Sequence, residues 1–327
     1  MNVNDNIDGA PANNHQQQQY KIDPAMKIGH VSLNVSNLSR SLDFYESILG
    51  FKRVDRPSRG KALLSVGDNN SSYLVELLQV NTTDANSDNV SRMNSSSRRA
   101  GLYHFAILLP ERKFLADILQ NLGDKRDQIH FDGLADHLVS ESIYLRDPDF
   151  NGVEIYSDRP TSEWRWKDTQ VEMATLPLNT TNLLKEATEK GWKEMPDKTT
   201  IGHIHLHVSD IAKAMNFYHE ILGLQLTAAI STASFFAADG YHHHIATNTW
   251  LGTGIAPASS ESIGLNHFSI ELSNKEELVR LIDLFSRHNM SVLRSGSLPD
   301  RSVFVRDMDG IKIQVEKTND AHFALVC

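Results

Sequence analysis

Apolar and polar positions at the start of the chain follow the order of a compact β-α-β-β-β unit. Val31–Val35 alternates in the manner of a half-buried strand. An apolar stripe at helical spacing follows over residues 38–49, and Gly50 is typical of the position just after a helix end. Lys61–Val66 and Tyr73–Val80 then have strand character. The pattern predicts a strand, a helix and further strands in that order.

A second unit of the same kind follows the first. Tyr103–Leu109 is strand-like, and Glu111–Leu122 has helical spacing. The corresponding helix late in the chain is predicted over Glu277–His288, where Ser273 and Glu276 form a capping-box pattern.

The two halves of the chain form an internal sequence repeat. Three pairs of segments match in the same order: 28–36 (IGHVSLNVS) with 201–209 (IGHIHLHVS), 101–105 (GLYHF) with 264–268 (GLNHF), and 146–149 (RDPD) with 306–309 (RDMD). The repeat predicts an α+β protein made of two copies of one domain, with four tandem βαβββ modules in total.

The length of 327 residues agrees with two domains, because a single core rarely grows past about 250–300 residues. The Asn- and Gln-rich start cannot bury a core and predicts a disordered tail. The polar stretch Asn81–Arg99 predicts a mobile loop. The predicted boundaries are a tail over 1–24, a first domain over 25–158, a linker over 159–199, a second domain over 200–318 and a C-terminal tail over 319–327.

Charge and composition exclude several classes of partner. The formal net charge is −9 and the basic residues do not cluster, so we expect no nucleic-acid partner. No apolar run approaches the roughly 20 residues of a membrane helix, and no secretory signal is visible, so we expect no membrane partner. The single cysteine, Cys327, permits no intrachain disulfide, and the cytoplasm is the expected location. A homo-oligomer is possible, but the sequence singles out no interface.

Three side chains of the N-terminal repeat are candidate metal ligands. His30 and His104 each lie on the first strand of a unit, and Glu154 lies on the last strand of the second unit. If these two units close on each other, the three side chains meet in one cavity. Two imidazoles and one carboxylate form the facial triad of non-haem Fe(II) oxygenases, which leaves metal positions open for substrate and oxygen.

The string from His137 through Ile143-Tyr144 and Asp147-Pro148 to Glu154 resembles the signature of type I extradiol ring-cleavage dioxygenases. These enzymes belong to the vicinal oxygen chelate superfamily, which includes the glyoxalases. The resemblance covers about residues 27 to 317. The segments 101–110 and 240–245 also resemble a catechol-2,3-dioxygenase subgroup. The expected fold is therefore a pair of vicinal-oxygen-chelate domains.

The resemblance implies a role for each matching residue. Glu154, His30 and His104 would hold Fe(II), Tyr144 would bond a catecholate oxygen, and His137 would contact the substrate or support its neighbours. The implied substrates are a small aromatic diol and O2, and the implied process is aromatic catabolism.

The C-terminal repeat leaves a second location open. It retains His203 and His267, but Gln314 stands where Glu154 does, and Phe304 and Ser297 replace Tyr144 and His137. This comparison favours the N-terminal repeat, since glutamine carries no charge to offset a metal ion. The cluster His242-His243-His244, close to the position of the family's acid-base histidine, offers an alternative site of His203, His243 and His267.

Two other functions stay open on the same scaffold. A glyoxalase-like lyase or isomerase would use Glu76 as a fourth ligand and Mn, Ni or Zn as the metal. A non-enzymatic protein of this fold would bind a small ligand without metal. The fold alone does not decide among these functions.

Overall fold

The computed structural model describes residues 20–54, 59–67, 72–80, 98–257, 259, 262–294 and 301–318. Residues 81–97 of the predicted mobile loop and the predicted C-terminal tail 319–327 lie outside the described residues. Arg99, the last residue of that loop, forms a β-bridge with Ala256.

The described residues form eighteen strands and five α-helices. The strands are β1 (Lys27–Val35), β2 (Lys52–Arg53), β3 (Lys61–Ser65), β4 (Val75–Gln79), β5 (Gly101–Leu108), β6 (His130–Asp136), β7 (Ser140–Arg146), β8 (Gly152–Asp158), β9 (Trp166–Lys167), β10 (Gln170–Val171), β11 (Thr200–His207), β12 (Gln225–Ile230), β13 (Ala233–Ala237), β14 (Ile245–Asn248), β15 (Gly264–Leu272), β16 (Leu293–Arg294), β17 (Ser302–Arg306) and β18 (Lys312–Lys317). The helices are α1 (Leu38–Leu42), α2 (Arg112–Asp124), α3 (Thr180–Leu183), α4 (Ile211–Met215) and α5 (Lys275–Arg287). Among them, no helix has both the length and the apolar character needed to cross a membrane.

The predicted four-module α+β architecture is confirmed. Module 1 contains β1, α1 and β2–β4; module 2 contains β5, α2 and β6–β8; module 3 contains β11, α4 and β12–β14; and module 4 contains β15, α5 and β16–β18. In each module the last strand runs parallel to the first, as β4 does beside β1 and β8 does beside β5. The inward faces of these strands supply the apolar core.

The modules pair across the two sequence repeats. Strand β1 of module 1 is antiparallel to β15 of module 4, and β5 of module 2 is antiparallel to β11 of module 3. The two pairs join where β1 meets β11, at Ile28 opposite Ile201. The expectation that modules 1 and 2 close on each other is therefore wrong, and the cavity between modules 2 and 3 is built from both halves of the chain.

A buried bond between a tyrosine and an aspartate links the modules within each sequence repeat. Tyr45 OH, just after α1, donates to Asp147 in the turn before β8, at 3.0 Å. Tyr218 OH donates to Asp307 at the matching turn of module 4, at 2.8 Å. Both tyrosines lie in a wider, π-helical turn that continues α1 and α4, over Asp43–Ile48 and Asn216–Ile221.

The segment before β1 and the start of α5 both differ from expectation. The N-cap of α5 is Asn274, whose side chain accepts from Glu277 N at 2.9 Å, so the predicted Ser273 cap is wrong. The backbone N–H of Ser273 instead donates to the buried carboxylate of Asp23. Residues 20–24, assigned to the tail by sequence, are thus part of the folded chain.

The predicted linker packs against module 2. Its β9–β10 hairpin contributes Val171 to a small apolar cluster with Val139 and Trp164. Leu176 forms a β-bridge with Asp136 at the end of β6. This segment therefore forms one wall of the cavity described next.

Candidate metal centre

Three ligand-type side chains converge between modules 2 and 3. One nitrogen each from His104 and His203 and one oxygen from Glu154 all lie within 4.8 Å of one another. Both Nε2 atoms are 3.0 Å from the same Glu154 Oε2. None of the three residues is more than 6% exposed. No other trio of His, Cys, Asp or Glu within the described ranges meets in this way.

Strand register explains this convergence. Ala106 in β5 lies opposite Glu154 in β8 on one side and opposite His203 in β11 on the other. His104 is two residues before Ala106, and alternate residues of a strand project to the same face. Three neighbouring strands therefore present the two imidazoles and the carboxylate on one surface.

The structure does not bring His30 to this centre. His30 lies between modules 1 and 4, where its Nε2 is 3.1 Å from His267 Nε2. The position expected for His30 is taken by His203, its counterpart in the second repeat. The two histidines occupy the same place in the sequence motif Ile-Gly-His, so only the pairing of the modules distinguishes them.

The alternative trio is also divided between the two module pairs. The rings of His203 and His243 lie with centroids 4.1 Å apart, at the candidate centre. His267 is the partner of His30 in the other pair, and its Nδ1 is 2.8 Å from Asn266 Oδ1. The trio of His203, His243 and His267 is not assembled.

Glu76, the fourth ligand of the lyase hypothesis, belongs to module 1. Its carboxylate accepts from Ser32 Oγ at 2.5 Å and forms an ion pair with Lys61. The set of two histidines and two glutamates is therefore not assembled at either location. Gln314 donates its amide to Glu316, so no carboxylate stands at the position that matches Glu154.

The electrostatics favour deprotonated ligand atoms. Burial lowers the pKa of His104 and of His203. Burial also tends to raise the pKa of Glu154, but the interactions with His203 and His104 outweigh it, and this pKa lies well below its usual range. Near neutral pH the site therefore presents two neutral imidazoles and one carboxylate, the forms in which these residues bind metal.

The donor set fits a divalent transition metal. His104 Nε2 is near Glu154 but not aligned for a hydrogen bond, and among the described residues neither this atom nor His203 Nδ1 has a hydrogen-bond partner. A buried polar atom without a partner costs free energy, and a metal bound at His104 Nε2 would relieve that cost for His104. Two imidazoles and one carboxylate suit iron, and they also accommodate manganese, nickel or zinc.

Tyr144 and His137 form a hydrogen-bonded pair beside the triad. Tyr144 in β7 lies opposite Glu154 in β8, and its hydroxyl is 2.7 Å from His137 Nε2. His137 Nδ1 is 2.7 Å from the carbonyl oxygen of Ala174, which can only accept. In the neutral ring Nδ1 therefore carries the proton, and Nε2 accepts from Tyr144. Burial and the nearby Glu154 raise the pKa of Tyr144 well above its ordinary value, so the hydroxyl keeps its proton.

A cavity of about 740 Å³ opens onto these groups. Its aromatic wall includes Tyr103, Phe235 and Trp250, and residues 170–175 of the linker form another wall. His137, Tyr144, His203 and His243 all line it. The sequence patterns gave no signal for Phe235, Trp250 or the linker wall.

Comparison with known proteins supports this fold. A family model described as the Glyoxalase/Bleomycin resistance protein/Dioxygenase superfamily matches residues 27–155 and 200–315. The chain belongs to this superfamily.

A particular relative is catechol-2,3-dioxygenase from Bacillus subtilis (strain 168), to which the chain is 39% identical over 261 residues. The match covers 77% of this chain and 84% of that protein. It confirms the resemblance that the motifs indicated and supports the expectation of a dioxygenase-type enzyme.

Solved structures show the same fold at low sequence identity. A single-residue mutant of glyoxalase I from Zea mays has a TM-score of 0.52 and 15% identity, covering 90% of this chain and 94% of that one. A candidate dioxygenase from Bacillus subtilis subsp. subtilis str. 168 has a TM-score of 0.58 and 12% identity, covering 93% and 89%.

Proposed function

We propose that this protein is an Fe(II)-dependent extradiol dioxygenase that opens a catechol-type ring beside its two hydroxyls, with O2 as the second substrate. The observation that carries the proposal is the convergence of the triad, the Tyr144–His137 pair and His243 on one cavity. The proposed metal ligands are His104, Glu154 and His203.

Iron bound by these three residues would supply open positions where a catechol and O2 come together and would pass charge between them. The protein's own part is to keep water out and the ring in place. The triad is buried, and the aromatic wall of Tyr103, Phe235 and Trp250 suits the flat face of an aromatic diol.

Tyr144 and His137 would hold one substrate hydroxyl. Because the Tyr144 hydroxyl donates a hydrogen bond to His137, the lone pairs of its oxygen are left to accept a hydrogen bond from the substrate. His137 is itself fixed by Ala174, so the tyrosine hydroxyl is oriented before the substrate arrives.

His243 is the proposed acid-base group for the other side of the ring. Its ring lines the cavity and lies against His203. Burial lowers the pKa of His243 well below its ordinary value, so the ring enters the reaction neutral and able to accept a substrate proton.

The lyase hypothesis is less well supported because Glu76 is engaged by Ser32 and Lys61 in the other module pair. The binding-protein hypothesis leaves the buried His104 Nε2 without a partner. A cytoplasmic location and a possible homo-oligomer stay predictions.

The test is oxygen uptake by protein reconstituted anaerobically with Fe(II), with a panel of small catechols. We expect uptake and a yellow ring-opened product, both lost in Glu154→Ala. His30→Ala is the matched control, because it removes an equally buried histidine of the other module pair and should retain uptake. No uptake by the wild type with any catechol would overturn the proposal, and so would uptake that survives in Glu154→Ala.

A further inference from the structure

A row of three side chains leads away from the cavity behind His243. His243 Nδ1 is 2.8 Å from His242 Nδ1, and His242 Nε2 is 3.0 Å from Asp158 Oδ1. His242 is fully buried. Neither His242 nor Asp158 belongs to the triad or lines the cavity.

The direction of each hydrogen bond in this row follows from the aspartate. A carboxylate oxygen only accepts, so His242 Nε2 must carry the proton. In a neutral ring His242 Nδ1 is then unprotonated and accepts a hydrogen bond from His243 Nδ1. His243 therefore holds its proton on Nδ1, and its Nε2 is left as the acceptor on the cavity side.

The surrounding structure fixes the row. Tyr241 OH donates to the second oxygen of Asp158 at 2.9 Å, which sets the orientation of the carboxylate. The ring of His242 packs between Tyr241 and Trp164, with centroids 4.1 Å and 5.2 Å away. Asp158 ends the strand that also carries Glu154, and residues four apart on a strand share a face.

We propose that His242 and Asp158 are positioning residues that hold His243 in the tautomer with an unprotonated Nε2 facing the cavity. The catalytic consequence rests on the proposed function, since it matters only if His243 accepts a substrate proton. The tautomer itself does not depend on that function, and it can be measured in protein that turns nothing over.

The experiment is nitrogen-15 NMR of Zn(II)-loaded protein with ring-labelled histidine, in which protonated and bare ring nitrogens give different signals. The His243 signals are assigned by their loss in a His243→Asn variant. We expect the wild type to show a protonated Nδ1 and a bare Nε2. A protonated Nε2 in the wild type would overturn the proposal without any reference to activity.

Two substitutions at His242 separate positioning from simple packing. His242→Gln keeps a donor for Asp158 and an acceptor for His243, and we expect it to preserve the tautomer. His242→Phe fills the space but removes both bonds, so the proton of His243 should move to Nε2. An unchanged tautomer in His242→Phe would contradict the proposal.

The kinetic counterpart uses the Fe(II)-loaded enzyme with a catechol. We expect His242→Phe to lower kcat by about 100-fold, the lower end of general acid-base effects, with KM and metal content little changed. His242→Gln should restore kcat to within a few-fold of the wild type. Equal loss in both variants would assign His242 to packing alone. Absence of activity in the wild type would count against the proposed function and leave the NMR result standing.

Discussion

Glu154 and Gln314 occupy the same position of two repeated modules and differ by one charge. Around Glu154, two histidine nitrogens converge on one oxygen, and His104 Nε2 has no hydrogen-bond partner in the part of the chain that the structure describes. Around Gln314, the nearby histidines bond each other and Asn266. The position of Glu154 thus offers a carboxylate to a metal ion, and the position of Gln314 offers a neutral amide.

The first prediction compares two equivalent histidines. His203→Ala should lower the affinity for Fe(II) or Zn(II) by 100-fold or more, because it removes one of three proposed ligands. His267→Ala, of similar burial in the other module pair, should leave the affinity unchanged. Calorimetric titration of metal-free protein measures both, and a loss of affinity in His267→Ala alone would move the metal to modules 1 and 4.

The second prediction concerns the tyrosine hydroxyl. Tyr144→Phe removes the donor to His137 and the proposed contact with the substrate, so kcat/KM for a catechol should fall by about 10²-fold. Metal content should not change, because the hydroxyl is not one of the three proposed ligands. Steady-state oxygen uptake gives the ratio, and a kcat/KM equal to that of the wild type would remove Tyr144 from the proposed site.

The sequence located most residues of the candidate site but could not choose between the two Ile-Gly-His segments. His104, Glu154, Tyr144 and His137 all lie in module 2, which carries the distinctive motif, and the structure brings all four to one cavity. His30 and His203 have the same local pattern. No local pattern reports which strand a distant strand will pair with, and that pairing decides which histidine reaches Glu154.

At the scale of elements, the tyrosine–aspartate bonds connect a helix end to a turn about a hundred residues away. Asp147 also accepts from the backbone of Asp149 and Asn151, and burial raises its pKa to about 6. Burial likewise raises the pKa of Asp307 to about 6. The two bonds are equivalent parts of the repeat and should contribute alike to stability.

The third prediction tests that equivalence. Tyr45→Phe and Tyr218→Phe should each lower the free energy of unfolding by about 1 kcal/mol, because a buried carboxyl loses one of several donors. The double variant should lose about the sum, since the two bonds lie in different sequence repeats. Urea unfolding measures all three, and a large effect of only one substitution would show that the two bonds are not equivalent.

The fourth prediction concerns the close approach of β8 to β5. A Cβ on Gly152 would lie 2.1 Å from Tyr103 O and 2.8 Å from the Cβ of His104. Gly152→Ala should therefore destabilise the fold by about 1–3 kcal/mol and weaken metal binding, because the strands of His104 and Glu154 must separate. The control is Gly123→Ala in α2, where an added Cβ has no atom within 4 Å. This substitution should raise the free energy of unfolding by about 0.5–1 kcal/mol. Equal stability of the two variants in urea would contradict the predicted crowding.

Elements with strong periodicity were predictable, and their ends were less so. The apolar stripe indicated the helix over α1 and its π-helical continuation. It did not indicate the widened turn, because an α-helix and a π-helical turn have almost the same pattern of buried positions. The N-cap of α5 is Asn274 rather than Ser273, whose backbone N–H donates to Asp23, distant in sequence. Helix ends commonly differ by one or two residues between one method of assignment and another.

At the scale of the whole molecule, buried neutral histidines make the fold sensitive to acid. Burial lowers the pKa of His244 and of His267 to about 3. In the unfolded chain these groups titrate near 6.5. Because the pKa of each histidine is lower in the folded protein, the two groups contribute fully to stability above about pH 6.5. This contribution to the free energy of unfolding is lost as the pH falls toward 3.

The fifth prediction follows from this loss of stability at low pH. Each group should remove up to about 1.4 kcal/mol of unfolding free energy per pH unit in this window. Urea unfolding of metal-free protein between pH 7 and 5 measures the slope. His267→Asn should make the slope shallower, because it removes one of the groups with a lowered pKa. A slope that is the same in His267→Asn and in the wild type would contradict the prediction.

The crosswise pairing of modules has a consequence for biosynthesis. Strand β1 is complete early in translation, but its partner β15 lies roughly 230 residues later. Synthesis of the residues between them takes roughly 10–50 s at ordinary elongation rates. During that interval the nascent chain exposes an apolar strand edge, a template for aggregation. We infer that this protein depends on chaperone protection on the ribosome more than a relative whose neighbouring modules pair as they emerge.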